Sequence, residues 1–172
     1  LLGSRGYDGG AVDLLEWQEP RPAGAPPGAV NECGFQRLGF HVPDLDAAIS
    51  RIRERGGAAW SAPVEHDADG HAIRIVMAND PDGTMVEVVE GDGVGLLFVS
   101  VVCADLERSL GFYSSLGFRE ATRFAIAHDD ATHVRVAGRL EMDEVVLTAP
   151  GGGDVVVILV GFRRPVPVAG RA

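Results

Sequence analysis

The sequence predicts an α+β fold built from tandem βαβββ modules, and three observations carry that prediction. The first is an internal repeat: GFQRLGFHVPDLDAAISRIRERG from Gly34 returns as GLLFVSVVCADLERSLGFYSSLG from Gly95, at a constant offset of 61 and with no gap. The second is periodicity, since each copy alternates along a strand and then switches to helical spacing. The third is a strong chain reversal before the last strand of each copy. It is Asn79-Asp80-Pro81-Asp82-Gly83 in copy one and Pro150-Gly151-Gly152-Gly153 in copy two. A chain made of two copies of one small unit is expected to pair them around a shared site.

Each element follows from local chemistry. In copy one, residues 35–42 alternate as a strand. Asp44 is placed to cap the following helix, whose apolar stripe is Leu45, Ala48, Ile49 and Ile52. Gly56-Gly57 stops the helix. Strand patterns follow at 58–64, 72–78 and 84–90. In copy two the corresponding strand is 96–103 and the helix 105–116, with later strands at 119–127, 143–149 and 154–162. Residues 128–142 carry no clear period, although Val134 and Val136 could extend a strand.

Upstream of the repeat, Val12-Asp13-Leu14-Leu15-Glu16 matches the pattern of Val86-Glu87-Val88-Val89-Glu90. Residues 1–20 therefore read as the end of a truncated third module. Residues 21–33 form a Pro-rich linker, 34–92 and 95–163 the two complete modules, and 164–172 a tail. The expectation is a piece of a longer protein. Incomplete modules leave strand edges unpaired, which favours a homodimer.

Composition narrows the function classes. The net charge of −10 and a pI near 4.8 oppose nucleic-acid binding. The longest apolar run, Val155 to Val160, is six residues, far short of the ~20 that a membrane span needs. No basic-then-apolar signal peptide is visible. Cys33 and Cys103 do not make a disulfide framework and read as free thiols of a reducing cytoplasm. The lack of Lys beside abundant Ala, Gly, Arg and Val points to a GC-rich bacterial source.

The segments RLGFHVPDLDAAI, NDPDGTMVEVVE and VSVVCADLERSLGFYSSLGF resemble the vicinal oxygen chelate superfamily. That superfamily includes glyoxalase I, extradiol dioxygenases, methylmalonyl-CoA epimerase and the fosfomycin and bleomycin resistance proteins. The resemblance covers 34–163 and the strand pattern at 11–17. It implies two βαβββ modules whose curved mixed sheets pair to form a cup. Copy one is similar to a second module and copy two to a first, which implies that the chain straddles two domains.

The resemblance also implies up to four metal ligands on the cup wall, from the first and last strands of each module. The first-strand position falls on Arg37 and Phe98, and neither can ligate a metal. The last-strand position falls on Glu87, on Asp13 in the partial copy, and near Val157 in copy two. No metal cofactor is expected on this set. If a divalent metal (Fe, Mn, Zn or Ni) is present, Glu87 and Asp13 are its candidate ligands, with the remaining ligands outside this sequence. Strand alternation places Arg37, Gly39 and His41 on one face, with Met85, Glu87 and Val89. Phe98, Ser100 and Val102 supply the wall of copy two. Arg37, His41, Glu87, Phe98 and Ser100 are thus the candidate ligand-binding residues, suited to an aromatic or natural-product small molecule.

Blander readings compete with each of these. Arg37 with Glu87 reads equally as a structural ion pair, and His41 as an edge histidine. His66 and His71 flank Asp67-Ala68-Asp69-Gly70 and read first as a solvated turn, with metal binding as the lesser alternative. His128, Asp129, Asp130 and His133 read the same way. Phe112-Tyr113 reads as core. No phosphate loop or GxSxG element occurs. The favoured function is small-molecule binding without a catalytic metal, either resistance-type sequestration or a metal-free biosynthetic role. The alternative is a metal-dependent lyase, isomerase or extradiol dioxygenase.

Overall fold

Asp44 and Asp105 start the two helices in the same way. Asp44 Oδ1 accepts from Ala47 N at 2.8 Å, and Asp105 Oδ1 from Arg108 N at 3.0 Å. These caps begin α1 (Leu45–Glu54) and α2 (Leu106–Ser115). Gly56 and Gly117 then reverse the chain at φ 86° and 93°, a region that costs glycine nothing. The computed structural model describes residues 12–21, 23–68 and 71–170. The N-terminal part of the truncated-module reading, residues 1–11, and the Asp69-Gly70 turn lie outside the described residues.

Among the described residues, nine strands form one mixed sheet. In copy one they are β1 (Gly34–Val42), β2 (Ala58–Ala59), β3 (Val64–Ala68), β4 (His71–Asn79) and β5 (Met85–Glu90). In copy two they are β6 (Gly95–Val102), β7 (Arg119–His128), β8 (Leu140–Thr148) and β9 (Val156–Arg164). The order is β2-β4-β5-β1-β6-β9-β8-β7, with β3 added beside β4. Within each copy the first strand runs parallel to the last, β1 to β5 and β6 to β9. The copies join through β1 and β6, which pair antiparallel at the centre of the sheet. The result is an α+β fold of paired βαβββ modules, a curved sheet open as a cup rather than closed into a barrel.

The sheet separates three cores. Outside it, Leu45, Ala48 and Ile49 of α1 pack on Val76 and Val88. Also outside, Leu106, Leu110 and Tyr113 of α2 pack against Cys103, Val145, Leu147 and Leu159. Inside the cup, Met85, Phe98, Val102, Ile158, Val160 and Phe162 meet Val30, Ala131, Val136 and Leu140. The segments bearing Val30 and Ala131–Val136 thus fill part of the concavity. No helix among the described residues is long and apolar enough to cross a membrane.

Three details depart from simple periodicity. The expected strand at 58–64 is two strands, Ala58–Ala59 and Val64–Ala68, and between them the Trp60 indole donates from Nε1 to Asn79 Oδ1 at 2.5 Å. The unassigned stretch 128–142 holds a short 3-10 turn, Thr132–Val134, closed by Arg135 in the left-handed region at φ 59°. Residues 13–18 carry no strand pairing, and Leu14, Leu15 and Trp17 stay exposed.

Candidate functional site in the cup

Arg37 is the centre of the site. It lies on β1, paired in register with Met85 on one side and Ser100 on the other. The β1–β6 register slips between Phe35 and Arg37, so Gln36 is an extra residue on the bulged strand. Gln36 and Arg37 therefore both turn into buried positions, where plain alternation would separate them.

Arg37 is only 8% exposed, yet it carries a full charge. Its Nε donates to Glu87 Oε2 at 2.7 Å and its Nη2 to Glu144 Oε1 at 3.4 Å. Nη1 donates to Gln36 Oε1, and the guanidinium carbon lies 5.6 Å from the Phe98 ring centroid. Burial opposes the Arg37 charge, but the charges and hydrogen bonds of Glu87 and Glu144 outweigh it and hold the group above its usual value. Burial pushes the Glu144 carboxyl up; Arg37 pulls it back, and the Glu87 charge adds to the rise. One guanidinium faces two carboxylates, so the cluster carries one negative charge in excess.

A floor lies under this cluster. Ser100 is fully buried, and its Oγ donates to Gln36 Oε1 at 3.4 Å. Gln36 Nε2 donates to the Val30 carbonyl. Phe98 packs edge-on to β1 because Gly39 opposite has no side chain; a Cβ there would overlap the ring. Glu87 and Glu144 keep 13% of their side-chain surface, so the charged cluster is reachable from the mouth while Ser100 is not. His41 sits at the end of β1, beside Gly91 and Gly95. Asp13 is exposed and stands in none of the cluster's contacts.

The four wall positions expected to hold metal do not fit a metal ion. Gly39 pairs with Glu87 in copy one, and the equivalent pairing in copy two is Ser100 with Ile158. The last-strand position is thus Ile158 rather than Val157, and it is apolar. With Arg37, Phe98 and Ile158 at three positions, only Glu87 offers a donor, and it is already taken by a cation.

Sequence reasoning missed Gln36, Glu144 and a histidine cluster. Gln36 depends on the bulge, and Glu144 reaches Arg37 from 107 residues away. The one available signal for Glu144 was an acid among the apolar residues Leu140, Met142 and Val146 on the inward face of β8. His66 was read in one loop and His128 with His133 in another, yet the three rings come within 5.2–5.8 Å of one another.

Two surface depressions accompany the cup. One of about 330 Å³ at its rim is lined by Pro26, Pro27, Trp60, Asn79, Met85 and Arg135. The Arg135 guanidinium lies 4.3 Å from the Trp60 ring centroid. The other, about 420 Å³, lies around Pro43, Glu65, Arg74 and Glu90.

Comparison with known proteins agrees with this architecture. Residues 6–88 match the Glyoxalase/Bleomycin resistance protein/Dioxygenase superfamily. Glyoxalase I from Zea mays is similar in structure at a TM-score of 0.53 and 23% identity, over 76% of this chain and 43% of that one. This chain therefore spans less than half the length of that protein. Methylmalonyl-CoA epimerase from Mycobacterium tuberculosis is similar at a TM-score of 0.50 and 17% identity, over 85% and 93% of the two chains. At these identities the likeness is one of fold. No curated protein matches the sequence.

Proposed function

We propose that this chain, whose residues 6–88 match the Glyoxalase/Bleomycin resistance protein/Dioxygenase superfamily, binds a small organic molecule in its cup, using a guanidinium where a metal is expected. The observation that carries this reading is Arg37, buried at the first-strand position and held between Glu87 and Glu144. The guanidinium and the two carboxylates it fixes can orient a hydrogen-bonding group without a metal, and Phe98 beneath them offers an aromatic face. The occupant is an aromatic or natural-product molecule that enters from the mouth and meets Arg37, Glu87 and Glu144 first. His41 lies at the cup's end, and Phe98 and Ser100 back the site from below. The role is sequestration, or a biosynthetic step that uses no metal at these four positions. The protein acts as a homodimer in the bacterial cytoplasm.

The test is a thermal-shift screen of aromatic and polyketide natural products on metal-free protein, followed by calorimetric titration. Saturable one-to-one binding is expected, weakened about tenfold in Arg37→Met, which corresponds to about 1.4 kcal/mol. Binding unchanged by Arg37→Met removes Arg37 from the site. Conversion of the bound ligand in the presence of chelator separates the biosynthetic role from sequestration.

A further inference from the structure

We propose that His66, His128 and His133 form a transition-metal site that clasps the two free edges of the cup. These residues lie outside the four wall positions discussed above. His66 is on β3 and pairs with Ile73, which sets it on the inner face. His128 ends β7 opposite Leu140, a residue of the inner core. His133 sits in the 3-10 turn that follows. β3 and β7 lie at opposite ends of the sheet order, so the curvature of the sheet is what brings them together.

The spacing is that of a metal site. In tetrahedral sites the metal–nitrogen distance is about 2.1 Å, which sets two bound imidazole centroids about 5 Å apart. The three centroid separations are 5.2, 5.3 and 5.8 Å. The rings meet at interplanar angles of 73°, 55° and 87°, and among the described residues their donor atoms do not yet converge on one point. Coordination requires the three half-buried side chains to rotate so that one nitrogen of each faces the ion.

Two independent observations point to a cation. His66 Nε2 is buried and has no hydrogen-bond partner, which leaves a polar atom with a cost that coordination would remove. The adjacent ion cluster has one carboxylate in excess, and the Glu87 charge acts on both His66 and His133. Three imidazole donors suit Zn, Ni, Co or Cu rather than Mg or Ca. The bound ion would tie copy one to copy two at the rim, as the β1–β6 pairing ties them at the base.

The test is calorimetric titration of chelator-stripped protein with cobalt(II) and nickel(II) chloride, with the visible spectrum of the cobalt form recorded alongside. One ion per chain is expected, with a tetrahedral cobalt spectrum and a melting temperature that rises with metal. His128→Ala/His133→Ala should weaken binding by more than the roughly hundredfold that outer-shell changes reach. Cys33→Ser, which removes a free thiol outside the trio, should leave it unchanged. Absence of one-to-one binding by wild type, equal binding by the double variant, or a purely octahedral cobalt spectrum overturns the proposal. The spectrum uses wild-type protein alone, so it decides even if a variant folds poorly. Ligand binding by metal-free protein is a separate readout, so failure here leaves the reading of Arg37 standing.

Discussion

Arg37→Ala is the perturbation with the largest expected effect on stability. The change removes hydrogen bonds from Arg37 to Glu87 at 2.7 Å and to Glu144 at 3.4 Å, and the bond to Gln36. Two carboxylates that are each 13% exposed are left without a cation. At an effective dielectric near 20, a pair of unit charges about 4 Å apart attracts by about 4 kcal/mol. Breaking one buried pair costs about 3–5 kcal/mol. The expected loss is therefore about 4 kcal/mol at neutral pH, a drop in Tm on the order of 10 °C for a chain of this size. The loss should also depend on pH. Glu144 is already pushed up by burial, and removing Arg37 lets it rise further. A carboxyl whose folded pKa is raised contributes stability below its unfolded value and loses it as pH climbs through the folded value. The deficit of the variant is thus largest at neutral pH and narrows in acid. The assay is urea unfolding across the carboxylate range, with m-values checked for two-state behaviour. A loss under about 1 kcal/mol, the size of an exposed ion pair, or a deficit that does not change with pH refutes the reasoning.

Two further outcomes follow from the same geometry. Glu144→Gln removes the excess carboxylate and keeps an acceptor near Arg37. It should be at least as stable as wild type at neutral pH, with a flatter stability profile as pH rises, and a clear loss in urea unfolding at neutral pH would contradict this. Gly39→Ala drives a methyl into the Phe98 ring and should cost about 1–3 kcal/mol. The cost should largely vanish in a Phe98→Ala background, so a double-mutant cycle without coupling would show that the ring is not what the methyl meets.

The repeat made much of the scaffold legible. Asp44 and Asp105 cap equivalent helices, Gly56 and Gly117 end them, and both features are local, within one or two turns of chain. The bulge at Gln36 was not legible, because it is a property of β1 paired with β6 and not of either strand alone. Glu144 and the three histidines were hidden for a related reason. Their proximity depends on how far a nine-stranded sheet bends, and twist and curvature accumulate over all its strands. Separate loops in sequence became one rim in space. The Trp60–Asn79 hydrogen bond beside the break in the expected strand is likewise a contact between segments 19 residues apart.

The unequal charge of the two copies acts as a pairing code along the β1–β6 seam. Copy one brings its own balanced pair, Arg37 and Glu87, while copy two brings Glu144 without a cation of its own there. Two units like copy two, set face to face, would oppose carboxylate to carboxylate across the cup. One of each kind gives a cation flanked by anions. The duplication that made the halves alike in backbone has therefore left them distinct as partners, and pairing of copy two with another copy two is disfavoured by electrostatics before shape is tested.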